Sequence, residues 1–425
     1  MSRPTPLPNA LDAFYAAILL VGSPVLAYRL IRTGKWRTDW RGRLGHTAPL
    51  ATDSRPTVLL HGVSVGETAA AAALVDSLSD PNRVDSVRVV VSATTDTGLA
   101  RAQSIYGAAH PVTRHPLDFS RAVNRFLDTV RPDVVALMEL EVWPNFTRAC
   151  QRRGIPVVVV NGRLSSGSFR GYRRVRSLVA PSFQRLAGVA AQTEEYAERF
   201  RFLGVAGDRV TVADSMKWDV TLPPDLEDTA ERLGRDLGVD PTRPLVVAVS
   251  TGPGEERMLV EGRPEGVQLM VVPRKPERFE EVASLGPWVR RSSPGSPTPS
   301  DLFLVDTMGE AEAATALADV VAVGRSWNGL GASNPVPPAV LGKPVVVGPD
   351  HENFREMVEV LGSAGALRVA PDPWAGLRTV LDDHALAARM ASAGPATVEA
   401  HRGAAARNVA LIRSVLRGTA PPALG

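Results

Sequence analysis

The sequence predicts an α/β protein of two Rossmann-like halves, and three observations predict it. Short apolar, β-branched runs alternate with helical stretches along most of the chain, the pattern of parallel βαβ units. A proline- and acid-rich stretch at 222–228 breaks the alternation, which then resumes. The 425 residues also exceed one ordinary domain.

The elements follow in order. Strands are expected at 57–60, 87–92, 134–138, 156–160, 188–191 and 210–212, with helices at 66–78, 97–106 and 120–130 between them. In the second half strands are expected at 245–250, 269–272, 302–305, 320–323 and 344–347. Residues 291–300 read as a Pro/Ser surface loop, and the Ala/Arg-rich tail 384–417 as helical. The expected division is an N-terminal anchor 1–35, a first domain 36–219, a linker 220–243 and a second domain 244–425.

With 44% hydrophobic and 22% charged residues the chain is globular, not disordered. Only four of its 48 basic residues are lysines: Lys35, Lys217, Lys275 and Lys343. Arginine enrichment suits phosphate or carboxylate ligands, and a GC-rich genome gives the same bias. The single cysteine, Cys150, excludes an intrachain disulfide and fits a reducing compartment. No Cys/His cluster has zinc spacing. Residues 13–28 are sixteen uncharged positions, short of the ~20 that span a bilayer, interrupted by Gly22 and Pro24. Arg29, Arg32, Lys35, Arg37, Arg41 and Arg43 follow, and positive flanks stay cytoplasmic. Two readings stand: an anchor that keeps the chain on the cytoplasmic face, or a helix that only packs on the protein.

Seven residues carry the chemistry. Ser64-Val65-Gly66-Glu67 places a carboxylate at a helix start just after a strand, and Glu139-Leu140-Glu141 ends a later strand with two more. Ligands gather where strand C-termini meet helix N-termini. Ser64-x-x-Glu67 is also a capping box in form, as is Thr307-x-x-Glu310 with Met308 and Gly309 inside it. Either helix start suits an anion. Glu139 and Glu141 alternate on an extended segment and so are expected on opposite faces. Thr94-Thr95-Asp96-Thr97-Gly98 suits sugar hydroxyls or phosphate, with a helix cap as the safer reading. Pro273-Arg274-Lys275, with Arg278 after it, offers cations to a phosphate or forms a solvated loop. Gly324-Arg325-Ser326 and Gly329–Pro335 form a glycine-rich loop that admits phosphate near the backbone. His61 reads as a satisfied hydrogen-bonder.

In this order and spacing, the segments resemble one family over about residues 36–370, the 3-deoxy-D-manno-octulosonic acid (Kdo) transferases of lipid A assembly. The residues are His61 to Glu67, Thr94 to Gly98, Glu139-Leu140-Glu141-Val142-Trp143-Pro144-Asn145, Asn161 to Ser165 and Met216-Lys217-Trp218-Asp219. Ser250-Thr251 with Gly254-Glu255-Glu256, Pro273-Arg274 with Glu277-Arg278-Phe279, Asp306 to Glu310, and Gly348-Pro349 with Asn353-Phe354 complete the set. The resemblance implies the GT-B fold, two Rossmann-like domains facing across a cleft, to which the anchor reading of residues 1–35 adds an N-terminal membrane-anchoring helix. It implies a metal-independent, inverting enzyme without a cofactor, on the cytoplasmic face of the inner membrane. The donor would be CMP-Kdo and the acceptor a lipid A-type molecule, with no nucleic-acid partner. Glu67 matches the general base, and Glu139 (with Glu141 beside it) and Lys217 the groups that support the transition state. Pro273, Arg274, Met308, Gly309, Glu310, Ser326, Asn334, Pro335, Val336 and Pro337 match the donor side. Ser64, Gly66, Thr97, Glu141 and Arg163 are acceptor-side candidates. The run Arg163, Arg170, Arg173, Arg174, Arg176 is either a phosphate site or a solvated face.

The chain departs from the family mostly on the donor side. Pro-Arg-His is Pro273-Arg274-Lys275 here, Gly-Gly-Ser is Gly324-Arg325-Ser326, and an Asn before the lysine motif is Ser215. Gly-Gly-His-Asn-x-x-Glu-Pro becomes Gly331 to Pro338, with Ser333 for the histidine and Pro337 for the glutamate. Proline offers neither charge nor N–H, while Arg325 adds a cation. These changes leave open a different nucleotide sugar, an epimerase of the same build, or a degenerate non-catalytic binding protein.

Overall fold

The computed structural model describes residues 9–32, 38–63, 65–293 and 300–419; Ser64 lies outside them. The chain forms two compact units, 1–219 with 403–425, and 220–402. The last helix therefore belongs with the first unit, which corrects the expected second domain of 244–425. The expected linker is also corrected, because Leu226–Leu237 is a helix of the second unit that buries Leu226, Ala230, Leu233 and Leu237.

The first unit is built on seven parallel strands: β1 Thr57–Gly62, β2 Arg88–Ala93, β3 Val112–Arg114, β4 Val134–Met138, β5 Val157–Gly162, β6 Gly188–Ala191 and β7 Val210–Val212. Their order is β3-β2-β1-β4-β5-β6-β7, with the reversal between β1 and β4. Every residue of β1, β4, β5 and β6 is buried, as a sheet covered on both faces requires. Side chains alternate between two cores: Leu59, Leu137 and Val159 join one, Val58, Leu60, Ala136 and Val160 the other. The returning helix Ala404–Leu416 supplies Val409, Leu411 and Ile412 to the second core. Gly188 admits it, since a Cβ there would stand 2.6 Å from Leu411 Cδ1.

The second unit repeats the plan with β8 Leu245–Thr251, β9 Gln268–Pro273, β10 Val289–Arg290, β11 Leu302–Leu304, β12 Val320–Val323, β13 Val345–Val347 and β14 Leu367–Val369. Their order is β10-β11-β9-β8-β12-β13-β14, reversing between β8 and β12. Helix Leu226–Leu237 packs on helix Ala311–Leu317.

Three expectations change locally. The strands β3, β10 and β14 were not expected; each has two or three residues and includes an arginine, too short for an apolar period. The single helix 66–78 is two, Val65–Ala70 and Ala72–Ser79. At the break, the Tyr106 hydroxyl donates to the Thr68 carbonyl (2.6 Å), an insertion of the kind that interrupts a helical ladder. The tail is two helices, His384–His401 and Ala404–Leu416, parted where the chain re-enters the first unit.

At the N-terminus a helix runs Ala10–Arg32. Its first turn is fastened to the first unit: the Asp12 carboxylate accepts from Ser120 N (2.8 Å) and Asn145 Nδ2 (3.1 Å), and the Tyr15 hydroxyl donates to Asp118 (3.0 Å). Beyond it Ile18, Leu19 and Leu20 are exposed. Among the described residues no helix is long and apolar enough to cross a membrane.

Candidate active site

The β1/β4 reversal brings three carboxylates together. Glu67 sits in helix Val65–Ala70 directly after β1, half-buried, and its Oε2 accepts from the Val63 N–H at 2.8 Å. The Val63 carbonyl in turn accepts from the Thr95 hydroxyl (2.8 Å), so the loop is held from both sides. Ser64 of the expected capping box lies outside the described residues. Gly66 lies in the same six-residue helix.

β4 ends at Met138, and Glu139 turns the chain with φ +57°. The expectation that Glu139 and Glu141 alternate on opposite faces of a strand is therefore wrong: a left-handed residue breaks the period of two. Burial pushes the Glu139 carboxyl above the usual range and the Glu67 charge adds to it, while Arg163 and Lys217 oppose. Glu141 is raised by burial too; the Trp143 indole donates to it (2.8 Å) and opposes the rise, while Glu67 and Glu139 add to it. Three acids and two cations thus share one electrostatic site. Arg163 comes off the end of β5, its N–H donating to the Glu139 carbonyl at 3.2 Å.

Lys217 is presented by a built turn, Met216–Trp218. Asn161, left-handed at φ +50°, accepts on its side-chain oxygen from Met216 N (3.1 Å), and its own N–H donates to Asn408 Oδ1 on the returning helix (2.8 Å). Trp218 is fully buried, and Asp219 caps the returning helix through Gly403 N (2.7 Å) and Ala405 N (2.5 Å). Of the four residues Met216 to Asp219, three hold the turn and Lys217 stays half-exposed. Asn161 and Asn408 had no sequence signal as positioning groups, because their partners lie 55 and 247 residues away.

The other acceptor-side candidates divide. Thr97 is exposed, and Thr95 caps helix Asp96–Tyr106 through Gly98 N (3.0 Å), so this loop caps a helix. Arg176 donates to the Phe202 carbonyl (2.7 Å) and lies over its ring, while Arg170, Arg173 and Arg174 are exposed. His61 is buried and hydrogen-bonded to Ser92 (3.0 Å), with burial bringing its pKa down to about 4. It stacks on His115 at 3.7 Å, a pair not expected from the sequence.

In the second unit a cavity of about 250 Å³ opens at the β8/β12 reversal, lined by Ser250, Arg274, Glu312, Arg325, Asn334 and Pro337 among others. Glu255 fixes the backbone that carries Arg325: its buried carboxylate accepts from Gly252 N (2.8 Å), Arg325 N (2.6 Å), Ser326 N (2.8 Å) and Trp327 N (3.0 Å), tying the two strand ends together. Gly324 is obligatory, since a Cβ would stand 2.5 Å from Thr251 Cα. Arg325 and Ala332, where the family has glycine, are left-handed at φ +63° and +66°.

Not every donor-side candidate reaches this cavity. Ser326 is fully buried, its hydroxyl donating to Val323 O and accepting from Gly348 N, both 2.7 Å. Pro273, Pro335 and Val336 are buried as well, Met308 is 68% exposed, and Gly309 is left-handed at φ +90°. Glu310 stands before helix Ala311–Leu317 without capping it: its carboxylate takes Arg291 Nε (3.0 Å) and the Thr307 hydroxyl, which hold it below the usual range against burial. The expected Thr307 box does not form. Arg278 is also not a loop cation; it is buried against Glu256 (2.5 and 3.0 Å) and paired with Glu281 (3.0 Å).

Two parallel α/β units, each with its polar residues at a strand-order reversal, define a GT-B-like double-Rossmann protein. A putative UDP-N-acetylglucosamine 2-epimerase from Listeria monocytogenes has a TM-score of 0.56 at 16% identity, covering 88% of this chain and 100% of that one, a likeness of fold alone. Residues 38–220 match the family described as 3-Deoxy-D-manno-octulosonic-acid transferase (kdotransferase). A 3-deoxy-D-manno-octulosonic acid transferase of Bordetella pertussis is 34% identical over 88% of this chain and 91% of its own length, and one of Haemophilus influenzae 27% over 95% and 98%. The chain belongs to the 3-deoxy-D-manno-octulosonic acid transferase family.

Proposed function

We propose that this protein is an inverting glycosyltransferase that moves Kdo, or a similar ulosonic acid, from its CMP ester to a lipid A-type acceptor in lipopolysaccharide biosynthesis. The observation that carries the reading is the shared site of Glu67, Glu139, Arg163 and Lys217 at the β1/β4 reversal. An acceptor hydroxyl is a weak nucleophile, so a carboxylate must take its proton as the new C–O bond forms. Glu67, fixed by the Val63 N–H, is that base. The bond from the sugar's anomeric carbon to the phosphate oxygen breaks in the same step, and the pair of electrons leaves with CMP. Arg274 and Arg325 line the cavity that suits this anion, which needs cationic or N–H partners as it departs. Lys217 balances the charge of Glu139. The exposed apolar residues of the N-terminal helix support an inner-membrane association on the cytoplasmic face.

The test is purified protein with CMP-Kdo and a tetraacyl lipid A precursor, read by mass spectrometry. Transfer is expected from the native chain. Glu67→Ala is expected to lower it at least 100-fold while leaving CMP affinity and thermal stability nearly unchanged; an active E67A protein rejects the base assignment.

A further inference from the structure

A second, larger cavity lies within the first unit, of about 670 Å³, between the N-terminal helix and the acid-bearing loop after β4. Leu11, Phe14, Val142, Leu178 and Val179 make its walls mostly apolar. Phe14 is 50% and Leu178 60% exposed, so large hydrocarbon surfaces stand open to solvent on opposite elements of one hollow. Isolated exposed side chains are ordinary, but a concave cluster is a binding surface.

Two features say what occupies it. Arg148 and Arg185 line the same cavity, and Arg152 adds its charge to theirs; burial and these two neighbours lower the Arg185 pKa. Arg185 Nε donates to the neutral Gln151 side chain (3.0 Å), and Arg148 and Arg185 outnumber Glu141, the one acid among the lining residues, so the cavity's polar side carries a net positive charge that suits an anion. Glu141 and Trp143 also line the cavity, and Glu141 is electrostatically coupled to Glu67 and Glu139. Glu141 is therefore shared by the hollow's wall and the acid cluster's field. A hydrocarbon lining, a surplus of arginine and a wall residue coupled to the acid cluster together match an anionic amphiphile.

The geometry points to this cavity as the seat of one acyl chain of the glycolipid acceptor, with Arg148 and Arg185 taking a phosphate of its head group. The inference rests on the acceptor assigned above. The N-terminal helix then has a role besides membrane association, because Leu11 and Phe14 form one wall of an acceptor subsite. A chain held beside Glu141 fixes the head group near Glu67, so binding energy from a remote part of the acceptor is used to orient the reacting hydroxyl.

Two measurements on the full-length protein test this. Calorimetric titration with monomeric dodecyl phosphate is expected to show saturable binding, absent with glycerol phosphate. Leu178→Trp fills the hollow from an exposed position and Arg185→Glu reverses the charge; each is expected to weaken dodecyl phosphate at least tenfold with unchanged melting temperature. In the transfer assay, L178W is expected to lower kcat/KM for the acylated acceptor about tenfold, with kcat/KM for a deacylated acceptor unchanged. Unchanged dodecyl phosphate affinity in both variants overturns the proposal, as does a shift of L178W in sedimentation alone, which would mark a contact between copies. Absence of transfer by the native protein rejects the proposed reaction and leaves the titration to decide the cavity.

Discussion

At the residue scale, Glu139 shows what a buried cluster of carboxylates costs. A carboxyl whose folded pKa lies above its unfolded one contributes stability at low pH that is lost as pH rises through the folded value. Burial and Glu67 give Glu139 that direction. Glu139→Gln should therefore raise the melting temperature by about 3 °C at pH 8 and not at pH 4, while reducing transfer. The buried histidines act in the opposite direction. His61 titrates near 4, so between about 6.5 and 4 the unfolded chain takes up a proton that the folded chain refuses. Stability is expected to fall as pH drops through that window, and His115→Phe, which removes the stacked partner, should flatten the slope in melts from pH 7 to 4. Ala332 pays for a left-handed backbone where the family uses glycine; Ala332→Gly should stabilise the second unit by about 1 kcal/mol in denaturant titration.

At the scale of elements, the returning helix Ala404–Leu416 does two things. It covers one face of the first sheet, and through Asn408 it sets Asn161, which holds the Lys217 turn. Asn408→Ala leaves the buried Asn161 N–H unpartnered and should cost about 1–3 kcal/mol, with a fall in kcat larger than any change in donor KM. Helix Glu255–Glu261 is pinned comparably: Glu255 collects four backbone N–H groups and Glu256 is buried against Arg278. Arg278→Ala strands a buried carboxylate and is expected to destabilise by about 3–5 kcal/mol, read by chemical denaturation.

At the scale of the molecule, the first unit is discontinuous in sequence and the second is not. Residues 220–402 expressed alone should fold and bind CMP. Residues 1–219 without 403–425 should lose cooperative unfolding, since Val409, Leu411 and Ile412 leave its core. Near-ultraviolet circular dichroism of the two fragments separates these outcomes.

The alternation of apolar runs and helices was legible because strand and helix periods are local, and β6, β7 and β12 begin and end where the sequence predicts. The three acids were legible as residues, since Glu67 opens the helix after β1 and Glu139 and Glu141 follow the end of β4. Their convergence was not, because Glu139 leaves the extended region at a single backbone angle. Nor were the roles of Asn161, Asn408 and Glu255, whose partners are chosen by sheet order and by a helix that returns after 183 residues in the other unit. The sequence alone determined the two βαβ halves and the family. Tertiary structure decided which side chains share a field, because Coulomb forces and hydrogen bonds act through space while propensity acts along the chain.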